Sequence, residues 1–303
     1  MRTLVAGWFS FPQMGASAGD LLTRDLVCRW LEAAGRPYDV AVAPPFTDGV
    51  DWNAIDPTRY SVVVFVCGPF GNGWPIPEFL ARFAACRLIG VNLSMLEPLE
   101  VWNPFATLLE RDSSAATRPD LAFLSTSPSV PVVGIVLVHK QTEYRNGSHD
   151  LANAAVERLM ASRPMAAVRI DTRLDVNATG LRTAAEVESL IARMDVVVTT
   201  RLHGLVLALK NGVPGVVIDP IAGGAKITAQ ARKLRWPAAF VADQCTGADL
   251  DAAFDWALTA AARATARDCA RRARAGLADL RERFLGGLAD PAMITSRDSE
   301  RIG

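Results

Sequence analysis

The sequence is poor in the residues that usually crosslink a fold or bind metal. Its 303 residues include only five cysteines, which are scattered along the chain, and three histidines. No Cys-x-x-Cys pair and no Cys/His cluster is present, which argues against structural zinc and against a disulfide framework. We therefore expect reduced, mostly buried thiols and no resident metal or other cofactor.

The chain also lacks an excess of charge and a long apolar run. Its 32 basic and 32 acidic side chains cancel, so no overall field attracts nucleic acid or an anionic membrane. No uninterrupted apolar run reaches the length of a membrane span. The chain starts with a strand-like segment at residues 3–9 instead of a secretory signal pattern. These absences predict a cytoplasmic protein with no membrane span and no nucleic-acid partner.

What the sequence does contain is a regular alternation of strand-like and helix-like segments, which is typical of α/β folds. The segment 125–131, rich in Ser, Pro and Thr, is the best linker candidate. We predict two Rossmann-like domains that face a ligand cleft, at residues 1–127 and 128–247. C-terminal helices at 248–290, which would pack across, and a frayed tail at 291–303 complete the prediction.

One strand-to-helix turn organises the second half. A buried run ending at Val198 leads through Thr199 and Thr200 to Arg201 and His203, and an apolar helix follows. We expect the two threonine hydroxyls to cap this helix. In open α/β sheets such a turn lies at the carboxyl edge, where ligands bind. A helix N-terminus beside an arginine suits a carboxylate or phosphate. The alternative is a buried arginine paired with a core carboxylate, and a histidine that caps its own helix.

Three other segments carry candidate binding residues. Lys226 follows a flexible loop and either meets an anion held at the Arg201 turn or is solvated. Gly19 and Asp20 precede the first helix, where Asp20 either caps that helix or binds a hydroxyl. The glycine-rich loop 68–73 allows close approach of a ligand or makes a tight turn. His139 and Lys140 end a strand, where lining of the cleft and plain solvation are equally compatible with the sequence.

The order of these motifs resembles the polysaccharide pyruvyl transferase family. The resemblance rests on Asp195–His203, then Gly212-Val213-Pro214 and the later Lys226. Gly19-Asp20 is similar to the N-terminal G-D loop of the family. Arg111-Asp112-Ser113-Ser114 followed by Asp120–Phe123 resembles its segment before the domain linker. The match spans roughly residues 5–236.

The resemblance implies a fold like that of the B-type glycosyltransferases (GT-B-like). It also implies phosphoenolpyruvate as the donor co-substrate and a sugar or glycan-precursor diol as the acceptor, giving a pyruvate ketal and free phosphate. Arg201 and His203 would hold the donor, with His203 a candidate acid, and Lys226 would bind phosphate. Thr200 and Gly204, on the same turn, and Gly19, Asp20, His139 and Lys140 complete the expected substrate-binding set.

The resemblance also implies that the first domain binds the acceptor and the second domain binds the donor, and the departures from the family pattern fall in the first domain. Ser17-Ala18 stands where the family usually has an asparagine, and Gly68-Pro69-Phe70-Gly71 replaces a glycine triplet. The alternatives are a nucleotide-sugar glycosyltransferase of the same architecture and a non-catalytic binding protein. The absence of glutamate from residues 219–235 counts against the former, and the intact Arg201, His203 and Lys226 count against the latter. The acceptor, its linkage and the formation of a homo-oligomer are left open by the sequence.

Overall fold

The computed structural model of the chain describes residues 2–138 and 147–289. The chain divides into two compact units, Met1–Pro128 and Ser129–Gly303. The boundary lies inside the Ser/Pro/Thr-rich segment and one residue beyond the predicted domain end. The C-terminal helices belong to the second unit.

The first unit is a parallel sheet with helices. In chain order its elements are β1 (Arg2–Gly7), α1 (Ala18–Ala33), β2 (Tyr38–Val40), β3 (Tyr60–Val66), β4 (Pro69–Phe70), α2 (Ile76–Arg82), β5 (Arg87–Val91), β6 (Ser94–Met95) and β7 (Thr107–Leu109). Five of the strands form one sheet in the order β2-β1-β3-β5-β7, and β4 pairs separately with β6. All of these pairings are parallel.

The second unit repeats this plan. Its elements are β8 (Val132–Val136), α3 (His149–Ser162), β9 (Ala166–Arg169), α4 (Ala184–Ile191), β10 (Val196–Thr199), α5 (Leu202–Lys210), β11 (Gly215–Asp219), α6 (Lys226–Leu234), β12 (Ala239–Val241), α7 (Gly247–Ala257), α8 (Ala260–Gly276) and α9 (Leu280–Ala289). The sheet order is β12-β11-β10-β8-β9, and every pairing is parallel.

The two sheets have the same topology. When only the strands of each five-stranded sheet are counted, both sheets have the order second, first, third, fourth, fifth. This is one of the two common doubly wound orders, in which ligands bind at the carboxyl edge, next to the point where the strand order reverses. The predicted α/β class with two Rossmann-like domains is confirmed. The cleft between them stays a prediction.

The strands β1 and β10 are buried on both faces, as their apolar runs predict. In β10, Val196 and Val198 join the core on one face of the sheet, while Val197 joins the core on the other. In β1, Leu4 and Ala6 lie in one core and Val5 in the opposite one. This alternation follows from the two-residue period of a strand. It fixes the strand ends, and therefore the loops that follow them, in space.

The C-terminal helices predicted at residues 248–290 are three in the described part of the chain, α7, α8 and α9. Thr246 and Thr259 cap α7 and α8 by accepting hydrogen bonds from Asp249 N and Ala262 N, both at 3.2 Å. The helix α8 packs against α5, α6 and α7. Within residues 2–138 and 147–289, no helix is both long and apolar enough to cross a bilayer.

Candidate functional site

A cavity of about 220 Å³ lies at the carboxyl edge of the second sheet. Three chain segments that follow neighbouring strands converge on it: one after β8, one after β10 and one after β11. Its lining includes Thr200, Arg201, His203, Asp219 and Lys226. The structure thus brings together Arg201, His203 and Lys226, three of the side chains singled out in the sequence. The parallel register of β8, β10 and β11 is what places them there.

The two threonines anchor the turn after β10. The Thr199 hydroxyl donates to Val136 O at 2.8 Å and accepts from Arg201 N at 2.9 Å. The Thr200 hydroxyl accepts from Val138 N at 2.9 Å. The expectation that they cap the helix is wrong, because α5 begins at Leu202 and no side chain within residues 2–138 and 147–289 caps it. Its first N–H groups are therefore open to an anion in the cavity.

Arg201 is positioned by a buried carboxylate. Its Nη1 lies 3.2 Å from Asp171 Oδ1, and the Asp171 side chain is only 6% exposed. The same carboxylate accepts hydrogen bonds from Arg173 N at 2.9 Å and Ala178 N at 3.2 Å. The alternative reading of Arg201 is correct in its pairing, yet the residue also lines the cavity. A guanidinium has five N–H donors, so an ion pair through Nη1 leaves capacity for a ligand.

Lys226 is the first residue of α6 and is exposed. The loop before it is organised by Asp219, which is 1% exposed at the end of β11. Asp219 Oδ2 accepts from Ala225 N at 2.8 Å, Thr228 N at 2.9 Å and the Thr228 hydroxyl at 2.8 Å. This carboxylate therefore occupies the start of α6, and it fixes the loop that carries Lys226.

His203 and Gly204 have different roles. His203 is exposed and lines the cavity, and it does not cap α5. Gly204 is buried, and a Cβ on it would lie 2.2 Å from Thr199 Oγ1. Its observed contribution is the close approach of α5 to β10, which places the turn. Binding of substrate by Thr200 and Gly204 stays a prediction.

Gly19 and Asp20 lie in the first unit, within the first turns of α1. Asp20 Oδ2 accepts from Ser17 N at 2.6 Å and from the Ser17 hydroxyl at 2.7 Å. Asp20 therefore supports the helix start, and it also lines a second cavity in this unit. His139 and Lys140 fall outside the described residues, and their predicted roles stay predictions.

The cysteines are free thiols, four of them buried and Cys245 half-buried, and this burial matches the expectation. Among residues 2–138 and 147–289, no group of three or more His, Cys, Asp and Glu side chains could hold a metal ion.

Two residues of this site, Asp171 and Asp219, were not predicted from the sequence. Asp171 follows β9 and Asp219 ends β11, so both stand at carboxyl ends of strands. The same rule that selected Arg201 would have found them. The motif before the linker proves to be structural: Arg111 Nη1 lies 3.0 Å from Asp120 Oδ2, and Asp120 accepts from Ala122 N at 2.7 Å.

Comparison with known proteins gives one family and several distant folds. The polysaccharide pyruvyl transferase model matches residues 110–220. No curated protein matches the chain. Among solved structures, the spinosyn forosaminyltransferase SpnP is 14% identical at a TM-score of 0.36, covering 96% of this chain and 100% of that one.

Two other solved structures are similarly remote. UDP-GlcNAc 2-epimerase from Methanocaldococcus jannaschii is 10% identical at a TM-score of 0.32, covering 90% of this chain and 98% of that one. HepE from Anabaena, in complex with UDP, is 14% identical at 0.32, with coverages of 95% and 100%. Structural similarity at these TM-scores does not establish a shared fold. The α/β assignment therefore rests on the two parallel sheets.

The family match contains Arg201 and His203 and ends at Pro220, just before the loop that leads to Lys226. It indicates a polysaccharide-modifying transferase. The resemblance in the sequence is therefore confirmed over residues 110–220, which match the polysaccharide pyruvyl transferase family.

Proposed function

We propose that the protein transfers the enolpyruvyl group of phosphoenolpyruvate to two hydroxyls of a sugar acceptor, forming a pyruvate ketal and releasing phosphate. The main support for this proposal is that Arg201, His203 and Lys226 line the same cavity. That cavity also adjoins the uncapped start of α5. The family match over residues 110–220 supports the same reaction.

The donor has a carboxylate and a phosphate, and the cavity offers groups suited to both. Arg201 can fork onto one anionic group, and Lys226 acts as a point charge for the other. The first N–H groups of α5 add partial positive charge. By contrast, the start of α6 already holds the Asp219 carboxylate. We therefore assign the anion at the helix terminus to α5.

The chemistry requires one proton donor to carbon. His203, exposed at the cavity, protonates the methylene of the donor, so that positive charge develops at C2. One acceptor hydroxyl adds to C2, phosphate leaves, and the second hydroxyl adds in its place. Of the two hydroxyl protons, one balances the proton gained by the methyl group and the other leaves with phosphate.

Thermal stabilisation by ligand tests the donor. Phosphoenolpyruvate at 100 times its dissociation constant should stabilise the protein by about 2.7 kcal/mol, whereas UDP-glucose should give no shift. Stabilisation by UDP-glucose and not by phosphoenolpyruvate would reject the proposal in favour of a nucleotide-sugar enzyme. Release of phosphate from phosphoenolpyruvate in the presence of a sugar diol then tests turnover.

A variant pair separates donor binding from folding. Arg201→Gln keeps an amide donor toward Asp171 but removes the charge, and it should abolish the phosphoenolpyruvate shift while the melting point without ligand falls by only a few degrees. The control is Lys210→Gln, at the far end of α5, where the lysine pairs with Glu188 at 2.7 Å. It should retain the full shift. Loss of the shift in both variants would remove the specific role of Arg201.

A further inference from the structure

The first unit has a cavity in the position equivalent to that of the second. It measures about 470 Å³ and is lined by residues that follow β1, β3 and β6. Since the two sheets share one strand order, both cavities lie at the carboxyl edge, beside the reversal of that order. The loop 68–73 and Asp20, which the sequence singles out separately, meet at this cavity.

The walls of this first-unit cavity are aromatic and close to backbone. The Trp8 indole donates to Pro69 O at 3.0 Å and packs directly on Gly68. Gly68 has φ of +83°, and a Cβ there would lie 2.2 Å from the ring. Trp8 is therefore a fixed wall. On the same rim, Trp74 is 71% exposed, so a face of its indole is open to a ligand.

The charge at this cavity is acidic. Asp20 lines it, and Glu97 lies behind Gly71, where Glu97 Oε1 accepts from Asn72 N at 3.1 Å. Glu97 Oε2 is buried without a hydrogen-bond partner in the described part of the chain. It lies 3.0 Å from the place a Cβ on Gly71 would take. The described lining residues include no Lys, Arg or His, in contrast to the second-unit cavity.

An exposed indole face combined with carboxylate acceptors matches one class of ligand. A pyranose ring has an apolar C–H face that packs on an aromatic ring, and its hydroxyl groups donate to carboxylates. An anionic ligand would be repelled by Asp20 and Glu97, with no cation in the lining to offset them. A purely apolar ligand would remove water from both carboxylates without supplying a hydrogen bond in return.

We propose that the first-unit cavity is a subsite for a neutral pyranose ring, with Trp74 as the stacking face and Asp20 as the hydroxyl acceptor, in the negative field of Glu97. This subsite specifies that the sugar acceptor of the proposed reaction is uncharged at this position, and in this respect it rests on the proposed function. The two cavities then divide the reactants by charge: an anionic donor in the second unit and a neutral ring in the first.

Saturation-transfer NMR on the full chain tests the subsite. The probes are the methyl pyranosides of glucose, galactose and mannose, with methyl glucuronide as the anionic comparison. At least one neutral glycoside should bind about tenfold more tightly than the glucuronide. Trp74→Ala should weaken it by about tenfold, and Trp74→Phe, which keeps a ring, by much less. Glu97→Gln should reduce the ratio between the affinity for the neutral glycoside and the affinity for the glucuronide.

Trp30→Ala is the matched control, since Trp30 is also exposed, at 44%, but lies on α1 outside the cavity lining. It should bind sugar as the unmodified chain does. Absence of binding by all three neutral glycosides, equal loss in the Trp74 and Trp30 alanine variants, or a preference for the glucuronide would overturn the proposal. The phosphoenolpyruvate shift is measured on the same samples. Sugar binding that depends on Trp74 without such a shift would reject the proposed reaction and retain the subsite.

Discussion

Substitution of Gly204 by alanine tests whether the close approach of α5 to β10 positions the site. The new methyl group would lie 2.2 Å from Thr199 Oγ1, 2.9 Å from Thr199 Cβ and 3.1 Å from Val136 Cγ1. Thr199 cannot turn away freely, because its hydroxyl bonds both Val136 O and Arg201 N. The helix must therefore move outward, or the turn must lose these hydrogen bonds.

The magnitude follows from two opposing effects. Overpacking of a core costs about 1–3 kcal/mol, and each hydrogen bond lost from Thr199 adds about 1 kcal/mol. Replacing glycine inside a helix returns about 1 kcal/mol. The expected net loss is about 2 kcal/mol, which for a unit of this size lowers the melting point by roughly 4–8 °C. The stabilisation by phosphoenolpyruvate should also fall, because the moved turn carries Arg201.

The assay is calorimetry with and without phosphoenolpyruvate, and the control is Gly276→Ala. Gly276 ends α8, and a Cβ there meets no atom within 4 Å. That variant should be neutral or stabilised by up to about 1 kcal/mol, with an unchanged ligand shift. Gly204→Ala protein that melts with the unmodified chain and keeps its ligand shift would refute the claim that this contact sets the turn.

Three further predictions concern stability and thiol chemistry. Asp219→Ala should cost about 2–4 kcal/mol in urea unfolding because it orphans Ala225 N and Thr228 N, whereas Asp255→Ala, which removes an exposed partner of Arg163, should cost less than about 1 kcal/mol; equal costs would contradict the role of Asp219. The hydrogen bond from Arg2 holds the pKa of Asp39 below its ordinary value, so this carboxylate stabilises the fold above its unfolded pKa of about 4 and the contribution is lost as the pH falls further. Asp39→Asn should accordingly lower the urea midpoint more at pH 7 than at pH 3, and a deficit that is the same at both pH values would be inconsistent with this linkage. Burial raises the pKa of Cys28 and of Cys245 to about 11, so iodoacetamide at pH 8 should label both far more slowly in the native protein than in guanidinium chloride, and rapid native labelling would show that they are not shielded.

Local pattern was sufficient for much of the fold. The sequence predicts helices at residues 149–162 and 226–234 and a short strand at 239–241, and α3, α6 and β12 have these bounds. Short strands such as β4, β6 and β7 were not predicted. They have two or three residues each, which is too few to show a period. The N-cap residues Thr246 and Thr259, which mark the starts of α7 and α8, could have been predicted from the sequence, because threonine is a favoured N-cap residue.

The sequence predicts the site residues only where their position follows from the end of a strand. Arg201, His203 and Lys226 follow neighbouring parallel strands, and the carboxyl-edge rule selects them. The pairing of Arg201 with Asp171 joins residues 30 positions apart. It depends on the loop after β9, where Asn177 bonds the backbone of Asp171 and Arg173. Such a loop is set by side-chain hydrogen bonds that leave no periodic trace. The exposure of Trp74 is likewise a three-dimensional property.

The unequal starts of α5 and α6 have a consequence for the orientation of any ligand with an anionic group at each end. Both helices point toward one cavity, but α6 is already capped by the Asp219 carboxylate, while α5 has no side-chain cap. Two nearby helix termini of equal strength would accept such a ligand in either direction. Here one terminus attracts an anion and the other presents only the Lys226 charge beside a fixed carboxylate. The fold itself therefore favours one orientation of the ligand, with one particular anionic end at the start of α5, before any reacting group is in place.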